Sequence, residues 1–145
     1  MDDKYYRVVE GMLYSYKKLV IKIKNIDIDI EELKNSYEGC TGINYGERSS
    51  PTNKFSSTVE NELVNKDYEL EKLQNIKKNY ERKISKIDNI LSILTNDEYR
   101  LIELRYFQRL RFKEISEVLN KSDIYLIGLR KKIIKDKLIP LIKDK

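Results

Sequence analysis

Positively charged side chains near the C-terminus are the residues of this chain whose type and spacing best suit a chemical task, which is contact with phosphate groups. Residues 96–145 contain 13 Lys and Arg against 8 Asp and Glu, whereas residues 1–95 contain 16 of each. The net charge of +5 therefore arises in the last third of the chain. Such a charge distribution attracts polyanions, and electrostatic attraction supplies most of the sequence-independent affinity of proteins for DNA.

These cations also have a simpler interpretation. Five of them lie between residues 130 and 137, towards the end of a helical pattern, where positive charge is favourable with respect to the helix dipole. A lysine-rich last turn is common on solvated helices. A binding role is favoured because these charges coincide with a specific helical pattern in residues 95–138.

That pattern predicts three short amphipathic helices. Thr95 and Glu98 have the spacing of a capping box, so we expect a helix to begin there. A second apolar stripe at Phe112, Ile115 and Leu119 predicts a short second helix.

A tight turn is predicted between the second helix and the third. Asn120, Lys121 and Ser122 are polar; Asn tolerates a left-handed conformation, and Ser122 is suited to cap a helix that starts at Asp123. Two helices joined by so short a turn cross steeply, so residues 95–145 are predicted to form a helix-turn-helix DNA-binding domain.

The third helix has a core side and an outer side. Steps of 100° per residue place Leu126, Leu129 and Ile133 on the core side, and Ile124, Gly128, Lys131 and Lys135 on the outer side. We expect Arg109, Arg111 and Lys113 to lie against the DNA backbone while the third helix enters the major groove. The complete predicted DNA-binding set is Arg109, Arg111, Lys113, Lys121, Ser122, Asp123, Ile124, Ile127, Gly128, Lys131, Lys132 and Lys135.

Residues 1–94 are predicted to form an antiparallel coiled-coil hairpin, which makes the expected fold class all-α. Apolar residues recur with alternating spacing of four and three from Tyr5 to Tyr37, and again from Val59 to Leu94 except at Lys66 and Lys77. We expect helices over about 3–36 and 58–94, joined by a loop over about 38–57. A small β-hairpin within residues 21–30 is an alternative, because Ile alternates there with polar residues.

Composition argues against other classes of protein. The chain has no histidine, the usual base for Ser or Cys nucleophiles and the commonest metal ligand, so we expect no enzyme activity, no metal and no cofactor. We expect no membrane partner, because no apolar run approaches the roughly 18–20 residues that span a bilayer. The acidic start lacks the features of a signal peptide, and the one cysteine, Cys40, suits a reducing compartment, so we expect a cytoplasmic protein.

Three segments carry a family resemblance. LIELRYFQRLRFKEISEVLNKS, followed by the basic LRKKIIKDKL, resembles region 4 of sigma-70 factors, which reads promoter −35 elements. With YEGCTGINYGERSSPTNKFSSTVENE and the helical arm, the chain resembles phage and prophage late-gene transcription regulators of the RinA/ArpU type. The resemblance implies binding to double-stranded DNA upstream of phage late or packaging genes, with RNA polymerase as a second partner.

The chain departs from this family pattern mainly in the third helix. Relatives typically present Ser, Thr and Arg towards DNA, whereas this chain has Ile124, Tyr125 and Gly128 at the matching positions. The changes at Ser116, where relatives have a small residue, and at Lys121, where they have an apolar one, are milder. Hydrogen-bond donors are therefore scarce on the expected base-reading face, although Ile124 is able to contact a thymine methyl group.

Two other functions remain open from the sequence. One alternative to a transcription regulator is a coiled-coil adaptor with a drifted helix-turn-helix, which meets proteins through Ile124 and Ile127. The other is a binder of phage DNA-packaging sites. The heptad pattern is also compatible with two arrangements of the helices, which pair either within one chain or between the chains of a homo-oligomer.

Overall fold

The structure, a computed structural model, describes the backbone of residues 2–42 and 53–143, and the side chains of residues 3–36 and 62–143. Every regular element in these ranges is helical, in agreement with the predicted all-α class. The helices are α1 (Asp2–Gly42), α2 (Asn53–Leu91), α3 (Asn96–Ile102), α4 (Phe112–Leu119), α5 (Asp123–Lys132) and α6 (Ile139–Lys143). A π-helical turn, Glu103–Phe107, follows α3, and a second, Ile133–Leu138, joins α5 to α6.

The long helices differ from their predicted bounds. Helix α1 continues to Gly42 and α2 begins at Asn53, so helical backbone replaces both ends of the loop predicted over 38–57. Glycine weakens a helix by about 1 kcal/mol without stopping it, which is why glycines alone are a poor end signal. The middle of the predicted loop, residues 43–52, lies outside the described residues.

The end of α2 also comes earlier than the predicted residue 94. Helix α2 ends at Leu91, where the Leu94 N–H donates to the Leu91 carbonyl at 3.1 Å in a tighter turn. The hydroxyl of Ser92 donates to the Asn89 carbonyl at 2.6 Å. These bonds satisfy carbonyls that a helix end leaves unpaired.

The alternative β-hairpin within residues 21–30 is wrong, because α1 is continuous through this segment. Ile26 and Ile30 are each only 9% exposed, and their separation of four residues is a helical one. Ile21 and Ile28 lie on the outer surface and are about half exposed. Burial of every third or fourth residue therefore outweighs the local preference of isoleucine for strands.

The described chain forms two compact units, and their limits differ from the predicted boundary between residues 94 and 95. One unit combines Met1–Val20 with Arg82–Lys145, and the other is Ile21–Glu81. The reason is burial: Val9 and Leu13 of α1 are completely buried in the first unit. The C-terminal helices thus share their core with the ends of both long helices.

Within Ile21–Glu81, α1 and α2 pair in opposite directions. The Nζ of Lys77 lies 2.5 Å from Oδ1 of Asp27, and the Nζ of Lys22 lies 5.3 Å from the centre of the Tyr80 ring. The lower-numbered residue of α1 meets the higher-numbered residue of α2, which is an antiparallel arrangement. Lys77, a polar exception in the predicted seam, is accommodated by Asp27, whose hydrogen bond raises the pKa of the lysine.

In the first unit the same two helices meet through a hydrogen bond, and a tyrosine of α1 also contacts the π-helical turn Glu103–Phe107. The hydroxyl of Tyr16 donates to Oδ1 of Asp88 at 2.8 Å, and its ring stacks on Phe107 with centroids 4.5 Å apart. Burial, followed by the hydrogen bond to Asp88, raises the pKa of Tyr16 to about 12. Leu19 and Ile87 of the predicted seams are buried here.

The predicted capping box at the start of α3 is confirmed. Thr95 Oγ1 accepts from the Glu98 N–H at 3.3 Å, and Glu98 Oε1 accepts from the Thr95 N–H at 3.0 Å. The same Glu98 oxygen lies 2.5 Å from Nζ of Lys137. The hydrogen bond from Lys137, with that from Thr95, lowers the pKa of Glu98.

This lowered pKa makes a prediction about stability and pH. A carboxylate whose pKa is lower in the folded state stabilises the fold above its unfolded pKa of about 4.3, and this contribution is lost as pH falls through the folded pKa. Glu98→Gln keeps an oxygen for the Thr95 N–H but removes the charge. We expect the substitution to lower the free energy of unfolding by up to about 1 kcal/mol at pH 7. Urea unfolding should show this difference shrinking below pH 4.

The control is Glu117→Gln, because Glu117 is exposed on α4. It should change stability little at either pH. A deficit of Glu98→Gln that persists undiminished at pH 3 would contradict the assignment.

Candidate nucleic-acid interface

The connection between α4 and α5 consists of Asn120, Lys121 and Ser122, as predicted. Asn120 is left-handed, with φ 54° and ψ 43°, and its N–H donates to the Ser116 carbonyl. Ser122 Oγ accepts from the Tyr125 N–H at 3.2 Å and so caps α5. Backbone groups at both helix ends are satisfied within the turn.

Ser116 ties the turn to α4. Its hydroxyl donates to the Lys121 carbonyl at 2.5 Å, while its carbonyl accepts from the Lys121 N–H at 3.3 Å. The sequence identified Ser116 as a tolerable departure in the second helix. The structure adds that this small polar residue fixes the backbone immediately before α5.

The inner face of α5 is anchored in the core. Leu126 and Ile133 are each 1% exposed, and Ile115 of α4 is completely buried. Leu129, also predicted to face the core, is half-buried. This burial determines which side of α5 is left outside.

An arginine pair holds α5 in a way that the sequence analysis missed. The guanidinium groups of Arg105 and Arg130 lie over the ring of Phe112, at 4.5 and 4.9 Å from its centre. Arg105 also donates to the Leu110 carbonyl at 3.0 Å. Arg130 is therefore separated from the exposed lysines that follow it. The sequence did offer one signal of this inward position, because Arg130 follows the core residue Leu126 by four residues, about one helical turn.

Helix α5 carries six of the twelve predicted residues: Asp123, Ile124, Ile127, Gly128, Lys131 and Lys132. Eleven of the twelve predicted DNA-binding residues are exposed, and Ile127 is half-buried. Ile124 is the most exposed of the large apolar side chains that the structure describes, at 80%. Among the described residues, Lys131, Lys132 and Lys135 make no ion pair with an acidic side chain.

Gly128 lies on this face in open space. A Cβ atom added to Gly128 would meet no atom within 4 Å, and the same is true of Gly11 in α1. Glycine costs a helix about 1 kcal/mol relative to alanine. No packing contact of the described chain explains its presence at residue 128.

Besides Ser122, three predicted side chains make contacts within the described chain: Arg109, Asp123 and Lys121, whose Nζ lies 5.4 Å from the centre of the Tyr125 ring. Arg109 adopts a left-handed φ of 57°, and its guanidinium lies 5.3 Å from the centre of the Tyr14 ring on α1. Asp123 Oδ1 accepts from the Ile124 N–H at 2.8 Å at the start of α5. The structure therefore brings together the turn and α5, while Arg109 lies against α1.

The π-helical turn Ile133–Leu138 changes the register after α5. The Ile139 N–H donates to the Ile134 carbonyl, five residues back, so each residue in this turn rotates by less than the 100° assumed for Lys135. Pro140 lacks an N–H and would clash with the carbonyl four residues earlier in a regular α-helix, which favours a widened turn before it. Lys137 leaves the exposed cluster to pair with Glu98.

A second group of cations lies in α1 and α2, and a charge count over all of residues 1–95 does not reveal it. Residues 11–20 and 82–87 contain no acidic residue. Their five cations, all exposed, are Lys17, Lys18, Arg82, Lys83 and Lys86. The unit that contains α5, Met1–Val20 with Arg82–Lys145, therefore has a larger positive net charge than residues 96–145 alone.

Comparisons with protein-family models, with curated proteins and with solved structures found no match to this chain. In the described ranges, no helix has the length and apolar character that crossing a membrane requires. The described side chains also include no group of three or more potential metal ligands.

The left-handed turn generates a prediction. We expect Asn120→Ala to lower the free energy of unfolding by about 1 kcal/mol, because alanine is penalised in this conformation, and Asn120→Gly to leave it unchanged or raise it. The control is Asn75→Gly in the interior of α2, where glycine should destabilise. Urea unfolding of the three variants measures both signs, and equal losses for Asn120→Ala and Asn120→Gly would contradict the prediction.

Proposed function

We propose that this chain is a sequence-specific, DNA-binding transcription regulator of the phage or prophage late-gene type, which acts with RNA polymerase. In this proposal α4, the Asn120–Ser122 turn and α5 are a helix-turn-helix of the sigma-70 region 4 kind. The arms α1 and α2 are a coiled-coil hairpin. The observation that carries the proposal is the exposed outer face of α5 directly after a turn fixed by Ser116, Asn120 and Ser122.

The electrostatics of this face support binding to DNA. Seven of the twelve predicted residues are cationic. Arg109 lies against α1, which leaves six on and around α5: Arg111, Lys113, Lys121, Lys131, Lys132 and Lys135. The one acidic residue is Asp123, whose carboxylate accepts a hydrogen bond from its own helix. Lys131, Lys132 and Lys135 are exposed and make no ion pair with an acidic side chain of the described chain, so they are available to phosphates. Phosphate contacts set the position and orientation of a protein on DNA.

In the proposed complex, α5 enters the major groove with its N-terminal end foremost. The major groove is about 12 Å wide and accepts one α-helix. Arg111 and Lys113, at the start of α4, and Lys121 in the turn lie beside the helix that enters and are suited to the DNA backbone. The hairpin would meet polymerase or a second copy.

A second candidate function is a protein adaptor. It is favoured by the exposure of Ile124 and Tyr125 on the outer face of α5, at 80% and 51%. Large exposed apolar side chains are also typical of protein-binding surfaces. On this alternative the same face meets a protein and shows no preference among DNA sequences.

Selection from a pool of random duplexes tests the proposal. We expect repeated rounds of binding to enrich a common sequence, which fluorescence anisotropy then shows to bind more tightly than a scrambled duplex at several salt concentrations. Recovery of no common sequence, or equal affinity for the enriched and the scrambled duplex at every salt concentration, would reject DNA regulation and leave the adaptor.

A charge reversal gives a quantitative test. Lys131→Glu should weaken binding to the selected and scrambled duplexes by similar factors, because a phosphate contact carries no sequence information. The slope of log affinity against log salt should fall in magnitude by about 1. The control Lys24→Glu reverses an exposed lysine of the other unit and should leave the slope unchanged. Equal effects of both variants would contradict the assigned interface.

A further inference from the structure

The first turns of α5 expose apolar surface where a DNA-reading helix ordinarily presents hydrogen-bonding groups. Ile124 is 80% exposed and lies on the same side as Gly128, one turn later. Oδ1 of Asp123 already accepts a hydrogen bond from the Ile124 N–H. The side chain of Arg130 lies over Phe112. The first cation of α5 that remains on the outer face is therefore Lys131, seven residues after Ile124.

Gly128 leaves the backbone of α5 uncovered beside Ile124. Side chains on a helix tilt towards its N-terminus, so Ile124 leans away from Gly128 and does not shield it. An added Cβ would meet no atom of the described chain, so nothing within the molecule requires glycine here. A bare helix backbone permits an external surface to approach closely.

One group in the DNA major groove is suited to close van der Waals contact with an apolar side chain. The C5-methyl of thymine is the apolar feature among the donors and acceptors that the four bases present there. An exposed isoleucine has no hydrogen bond to offer a base. Contact between this isoleucine and a methyl group nevertheless favours binding, because it removes apolar surface from water.

We propose that α5 recognises thymine through contact between Ile124 and its C5-methyl group, and that Gly128 allows the helix to enter deeply enough for this contact. This proposal rests on the proposed function and names the base that the interface reads. Hydrogen bonds from side chains to the bases contribute less to recognition than this methyl contact does. The lysines bind the phosphates of the DNA backbone.

Deoxyuridine provides a direct test, because it pairs as thymine does and differs only in lacking the methyl group. Each thymine of the selected duplex is replaced in turn by deoxyuridine, and affinity is measured by anisotropy. We expect about fourfold weaker binding for each methyl that Ile124 contacts, at one or two positions only.

The variant Ile124→Ala should bind the thymine and deoxyuridine duplexes equally at those positions, because the contact is already absent. The matched control is Ile28→Ala, which shortens an isoleucine that is 53% exposed on α1. It should keep the full discrimination. Discrimination that survives in Ile124→Ala would overturn the proposal.

Glycine substitutions test the depth of approach. Gly128→Ala and Gly11→Ala should both raise the urea midpoint, because each replaces an open helical glycine with a better helix former. Only Gly128→Ala should weaken binding to the selected duplex, by several-fold. Unchanged affinity in Gly128→Ala would refute the role of the bare backbone.

The failures are distinguishable. If selection yields no preferred duplex, the proposed function and this inference both fail. If a preferred duplex binds tightly but tolerates deoxyuridine at every thymine, the regulatory function stands and the methyl contact alone is rejected.

Discussion

The burial of Tyr106 against α1 is the contact on which the rest of the first unit depends. Its side chain is completely buried, its hydroxyl donates to Oε2 of Glu10 at 2.9 Å, and its ring meets Tyr14 edge-on at 4.8 Å. Burial, reinforced by the Glu10 carboxylate, raises the pKa of this tyrosine, so the hydroxyl stays protonated and able to donate. A segment ninety-six residues away in sequence thus completes the core under α3 and its π-helical turn.

This shared core separates an inner side from an outer side in the C-terminal helices. The completely buried side chains of the C-terminal region include Leu101, Ile102, Ile115, Ile134 and Leu138. Since these side chains fix one face of each helix, what α5 exposes is a consequence of packing. The lysines and the glycine on that exposed face make no contact with the core, so packing does not determine their identity.

The arms show how polar residues are accommodated along a helix pair. Within Ile21–Glu81, Lys77 occupies a seam position and pairs with Asp27. Within the first unit, the hydroxyl of Tyr16 donates to Asp88. Each contact joins two helices through one charged or polar group at the edge of an apolar seam. Such pairs contribute little energy when exposed, but they favour one register over its neighbours.

The sequence by itself determined the features that depend on a few neighbouring residues. Thr95 and Ser122 start their helices, Asn120 turns left-handed and heptad positions such as Leu19 and Ile87 are buried, because capping, backbone sterics and helical periodicity act over one or two turns. Only the tertiary structure decided that Arg130 turns onto Phe112, that Lys137 pairs with Glu98 and that α1 completes the core. These contacts join residues 18 to 96 positions apart, and their free energy depends on packing that no local pattern records.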